Sequence, residues 1–253
     1  MKRFPGTKMT LTMLLLIGSG VMVSAAPDRP RDPWVFRCVL DGNPRMVVIA
    51  LHEHLWLAYD AESCSLRQVW RDGVKFDGAV YTTVHGPQPT SKGEPVFIGP
   101  NDDVWTVMEL DGRGNPPRGV TSVSPIWKGY AIRDDQVTLR YKLPLPIGGY
   151  ATVEETPELV VEDDGSMILA RRFAADFPDN DVSVHMLAQR YIGDVENSNM
   201  ELVSLSMVNA ILPSSDGDGT VIETTVQLKS GEGIVRHRLR DAFAEKRISE
   251  MAP

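Results

Sequence analysis

The chain has 253 residues, 42% of them hydrophobic, enough to bury one large β core or two small ones. Its 34 acidic residues outnumber 26 basic ones for a formal net charge of −8, a balance that argues against nucleic-acid phosphates or anionic membranes as partners. After the first 25 residues no segment approaches the roughly 20 apolar residues of a spanning helix, so no transmembrane anchor is expected.

The first residues are read as an export leader. Lys2, Arg3 and Lys8 give a positive start without acids. The apolar run Met9 to Val23 has signal-peptide length, and Val23-Ser24-Ala25 offers small residues for cleavage after Ala25. No Cys follows to carry a lipid. The expected location is therefore periplasmic or extracellular. Residues 26–33, rich in Pro and charge, form an exposed arm.

The folded part, 34–247, is expected to begin with a strand at Trp34 to Leu40, closed by an Asp41-Gly42-Asn43-Pro44 turn. Met46 to Leu51 is continuously apolar and fits a strand buried on both faces. In Leu55 to Tyr59, alternation puts Leu55, Leu57 and Tyr59 on one face and His54, Trp56 and Ala58 on the other. Leu66 to Trp70 runs back, and such short links require antiparallel neighbours. A short strand at Ala79 to Val84 leads into a loop pinned by Pro87 and Pro89. Pro95 to Ile98 and Val104 to Leu110 are further strands, followed by the breaker at 111–119, a loop or a seam between halves.

A regular series comes next: Val120 to Ile132, Val137 to Leu143, Tyr150 to Val161, Met167 to Phe173, Val182 to Arg190 and Met200 to Val208. Val221 to Leu228 and Ile234 to Leu239 are predicted to pair as a hairpin around Ser230-Gly231. Arg240 to Arg247 is the one short helix predicted, and 248–253 is a tail. The pattern predicts an all-β, mainly antiparallel fold, a large β-sandwich in a single domain.

No complete catalytic signature is present: G-x-S-x-G, H-E-x-x-H and a Gly-rich phosphate loop before a helix are all missing. Cys38 and Cys64, the two cysteines, are expected to form a disulfide in an exported protein. Without C-x-x-C-H there is no covalent haem, and no other cofactor is expected. His52 and His54 would share one strand face and could supply two metal ligands, but no third is signalled nearby. Polar residues at a hairpin end account for that pair without a metal. Asp72 with Asp77, and Glu154 with Glu155, are the carboxylate pairs to consider for glycoside cleavage, which needs a separation of about 5–9.5 Å.

The stretch Trp70 to Gly93 concentrates the binding chemistry. Two prolines preorganise the backbone around His85, Gln88 and Thr90. Trp70 and Tyr81, with Trp127 as a further candidate, offer flat surface for a sugar ring, while Asp77, His85 and Gln88 would hydrogen-bond its hydroxyls. Trp34, Trp56 and Trp105 are assigned to core or interface.

Two segments, PRMVVIALHEHLWLAYDAESCSLRQVW and DGAVYTTVHGPQPTSKG, resemble a β-rich domain of large exported bacterial proteins that is often joined to c-type cytochrome or sugar-dehydrogenase modules. The resemblance runs from Trp34 to Gly93 and continues more weakly through Pro125 to Tyr130 and Val137 to Tyr141. That second part is similar to the supersandwich of aldose mutarotase-like proteins. The resemblance implies fold and company, not a reaction. This chain lacks the haem-attachment segment, so any redox role would need a separate haem or dehydrogenase partner. The expected function is an exported, non-catalytic module that binds carbohydrate or docks to a sugar-oxidising partner. The alternatives are a mutarotase- or lyase-type enzyme using His85 and Asp77, or a purely structural envelope protein.

Overall fold

The computed structural model describes residues 32–76, 87–93, 95–100, 104–109, 120–146, 148–178, 182–192, 200–206, 214–215, 221–228 and 230–239. Every strand pairing among them is antiparallel. The all-β antiparallel architecture read from the sequence is the one observed. Its strands are distributed over three larger sheets and a two-stranded ribbon.

The first sheet is built from β1 (Trp34–Leu40), β2 (Asn43–His52), β3 (Leu55–Asp60) and β4 (Ser65–Trp70). A ribbon of β5 (Val74–Lys75) with β6 (Thr90–Ser91) follows, and β7 (Pro95–Ile98) returns to the first sheet beside β4. Asp41 and Gly42, with φ of 51° and 79°, turn β1 into β2 in the left-handed geometry that a two-residue hairpin prefers.

Strand alternation explains why the first sheet is apolar on both sides. Val47, Ile49, Leu55, Leu57, Tyr59, Leu66 and Val69 enter the main core. Met46, Val48, Ala50, Trp56, Ala58 and Trp70 enter a second cluster on the opposite face, joined by Trp34, Phe36, Cys38 and Phe76. Each of these fully buried Val and Leu side chains stabilises the fold by roughly 1.5–3 kcal/mol.

β8 (Trp105–Glu109) and β9 (Val120–Ser122) belong to a second sheet, completed by β14 (Val182–Ile192), β16 (Ser214–Ser215) and β17 (Val221–Leu228). The largest sheet is ordered β10 (Ile126–Arg133), β11 (Gln136–Pro144), β12 (Tyr150–Val161), β13 (Met167–Asp176), β18 (Gly231–Leu239), β15 (Met200–Ser206). Its inner face, Val137, Leu139, Tyr141, Leu143, Val153, Leu169, Phe173 and Val235, meets side chains from both other sheets in the main core. Trp105 of the second sheet lies 5.3 Å, centroid to centroid, from Tyr141 of the largest. Pro157 sits within β12 just past the point where the β11 ladder ends, at Leu139 opposite Glu155.

Three sequence expectations need correction. Val120 to Ile132 is two strands: residues 123–125 leave the ladder at Pro125, and the chain passes from the second sheet to the largest. β17 and β18 are not a hairpin, for β17 pairs with β14 while β18 lies between β13 and β15. Finally, Cys38 and Cys64 are free thiols rather than a disulfide. They pack on opposite faces of the first sheet, Cys64 in the main core and Cys38 against the second cluster. Burial, then the nearby Asp41 carboxylate, pushes the Cys38 thiol up to about 12, so it is protonated and unreactive at neutral pH. Purified protein should therefore titrate two thiols on denaturation, and a reductant should leave its melting temperature unchanged. A reductant-sensitive melting curve would reinstate the bond. The strand expected at 79–84, the breaker at 111–119 and the helix expected at 240–247 lie outside the described residues.

Candidate functional site

The outward positions of the largest sheet carry its chemistry. On β11 these are Gln136, Thr138, Arg140 and Lys142, and on β12 Tyr150, Thr152, Glu154, Thr156 and Glu158. On β13 they include Arg172, Ala174 and Asp176, with Glu232 and Ile234 opposite on β18. Small side chains make the floor: Thr138 and Thr156 hydrogen-bond at 3.0 Å, and Ala174 lies directly between Glu154 and Glu232. Longer side chains rise around that floor. The result is an open trough of about 430 Å³ whose lining includes Gln136, Thr138, Glu154, Thr156, Arg172 and Glu232.

Ion pairs orient its walls. Arg140 Nε lies 2.8 Å from Glu154 Oε1, and Arg172 Nε donates to Glu158 Oε2 at 2.7 Å. These side chains are 34–53% exposed, so the pairs direct donors and acceptors more than they stabilise the fold. Glu154 and Glu232 are two strands apart, so their Cα atoms are separated by about 9.6 Å at the usual strand spacing. An array of hydroxyls, carboxylates and guanidinium groups in an open trough of this size can hold a polyhydroxylated ligand by hydrogen bonds.

The inner face of the same strands holds a different cluster. Glu155, fully buried, accepts hydrogen bonds from Tyr59 Oη at 2.6 Å, Tyr141 Oη at 3.0 Å and Arg171 Nε at 2.6 Å. Burial disfavours the Arg171 charge, but Glu155 with Tyr59 and Tyr141 outweighs it and holds the guanidinium above its ordinary value. Burial and then Glu155 push both tyrosine hydroxyls up. His237 is buried beside this group with neither ring nitrogen hydrogen-bonded. Burial and the Arg171 charge push it down to about 3. The cluster ties the first sheet to the largest. Glu154 and Glu155 thus face opposite sides of β12 and cannot act as a catalytic pair.

The residues singled out around the proline loop fare differently. Trp70 is 0% exposed and its Nε1 donates to the Gly73 carbonyl at 2.7 Å, so it offers no face to a ligand; this corrects its assignment as a stacking residue. Trp127 is half-buried against the main core. Asp77, Tyr81 and His85 lie outside the described residues. Gln88 is described, with both amide atoms buried and without a hydrogen-bond partner. The loop end beyond it is clamped: Asp41 accepts from Ser91 N at 2.9 Å and from Ser91 Oγ at 2.8 Å, and Gln68 Nε2 donates to Ser91 Oγ at 3.1 Å. His52 Nδ1 accepts the His54 backbone N–H at 3.2 Å, and the described residues contain no group of three potential metal ligands around this pair or elsewhere.

No family model matches the chain, and no curated protein matches it. Among solved structures, 4-alpha-glucanotransferase from Thermococcus litoralis aligns with a TM-score of 0.36 and 11% identity, over 83% of this chain and 40% of that one. A likeness at that score transfers neither fold nor function. Among the described residues no helix is long and apolar enough to cross a membrane.

Proposed function

We propose that the chain is an exported, non-catalytic carbohydrate-binding module, and that the trough on the outer face of the largest sheet is its binding surface. The observation that supports this reading most directly is the open 430 Å³ trough with a threonine floor and ion-paired walls. Vicinal hydroxyls match such walls, since carboxylates accept and guanidinium groups donate in fixed directions. The trough replaces Trp70 as the centre of the site. The enzymatic alternative gains nothing from the carboxylate pair at 154–155, which is split across the sheet. Any redox role would belong to a separate haem or dehydrogenase protein docking on this module.

The test is a glycan array on residues 26–253 and on two double variants. Glu154→Ala with Arg172→Ala should reduce retention at least tenfold while stability stays within about 0.5 kcal/mol, as expected for exposed side chains. His85→Ala with Gln88→Ala should leave retention intact. Loss of retention in the second variant alone would move the site to the proline-braced loop. Absence of any retained glycan would remove the carbohydrate reading.

A further inference from the structure

We infer, resting on that reading, that the ligand is a neutral, extended glycan chain lying along β12, and that Tyr150 is the stacking platform at one end of its path. The outward side chains of β12 from Tyr150 through Thr152 and Glu154 to Thr156 lie in one file. The six steps of strand from Tyr150 to Thr156 span about 20 Å, far longer than one sugar ring. The hydrogen-bonding trough occupies the Glu154–Thr156 end. At the other end Tyr150 is 49% exposed, with the Lys142 ammonium 5.7 Å from its ring centroid. Ile126, 42% exposed and paired with Lys142 across the ladder, widens the apolar ground there. An apolar platform followed by polar walls suits a chain of rings, each with a hydrophobic face and a hydroxylated edge.

The direction and charge of the path narrow the chemistry. The file follows a single strand, which suits an extended β-1,4-linked chain rather than a coiled one. Arg140 and Arg172 are already paired with Glu154 and Glu158, and Lys142 lies by Tyr150. Among the described residues, Glu232 and Asp176 have no ion-pair partner, so four carboxylates along this path stand against three cations. The surplus charge along the path is therefore negative, and a polyuronate or sulfated chain would be repelled.

Calorimetric titration of the mature chain with β-1,4-linked glucose oligomers, from monomer to hexamer, tests this inference. Affinity should rise with length through at least the trimer, and Tyr150→Ala should weaken the hexamer up to about tenfold while leaving the dimer unchanged. Galacturonate oligomers of the same lengths should bind more weakly than the glucose series. Equal affinity for monomer and hexamer, insensitivity to Tyr150→Ala, or tighter binding of the galacturonate series would each overturn the extended neutral chain, yet leave a carbohydrate site standing. If none of these sugars binds and the array also retains no glycan, the underlying carbohydrate reading fails with it.

Discussion

Glu155→Leu should destabilise the protein by about 3–5 kcal/mol, measured by chemical denaturation at neutral pH. The substitution removes the carboxylate that neutralises Arg171, whose side chain is only 2% exposed. It also leaves the hydroxyls of Tyr59 and Tyr141 without their acceptor. A buried unpaired guanidinium and two stranded donors are each costly, because water cannot reach them. Compensation should come in steps. Adding Arg171→Met removes the unpaired charge and should recover a large part of the loss. Adding Tyr59→Phe and Tyr141→Phe should recover more, since the two hydroxyls left without their acceptor are then gone. A loss below about 1 kcal/mol for Glu155→Leu alone would show that the cluster does not hold the sheets together.

The same substitution separates the two faces of β12. Glu155 points into the core and Glu154 into the trough. Below its melting transition the Glu155→Leu variant should keep the trough chemistry, because Thr156, Arg172 and Glu232 are positioned by the backbone ladder and not by the buried carboxylate. The cluster is thus a fastening for the platform, while recognition is assigned to the other side of the same strands.

Much of this platform was readable in the residues. Trp34–Leu40, Pro95–Ile98, Tyr150–Val161 and Val221–Leu228 are strands with the bounds that alternation and turn residues predict. What alternation cannot show is which sheet a strand joins. The link between β17 and β18 is short enough for a hairpin, but a link of that length serves equally well to turn a corner between sheets. In sequence, Trp70 looks like a platform because it is an aromatic beside a polar loop. Its neighbour across the ladder is Trp56, and both rings fill the second cluster. The buried cluster does leave a signal in the sequence: Glu155, Arg171 and His237 occupy inward positions among Val153, Leu169, Phe173 and Val235. A charged residue in an apolar file must find partners when the sheets close. The trough left no such trace, since its floor depends on Thr138, Thr156 and Ala174 lining up across three strands.

His237→Leu should flatten the acid side of the stability curve. The folded state holds the imidazole neutral down to about 3, against an ordinary value of 6.5, first because it is buried and then because Arg171 repels a second positive charge. In the unfolded chain His237 takes up its proton near the ordinary value. Between the two values the unfolded state binds one more proton, so stability rises with pH and is lost as pH falls. The slope from this group alone is about 1.4 kcal/mol per pH unit, and it vanishes above the upper value and below the lower one. Carboxylates contribute to acid unfolding in both proteins, so the quantity to measure is the difference between wild type and His237→Leu in urea midpoints across pH 4 to 7. That difference should move in favour of the variant as the solution is acidified. At neutral pH the variant should be as stable as the wild type or more so by about 1 kcal/mol, because two buried nitrogens without partners are removed and replaced by apolar volume of similar size. Parallel curves would mean that His237 is protonated alike in both states, and that the ring finds a hydrogen-bond partner inside the fold.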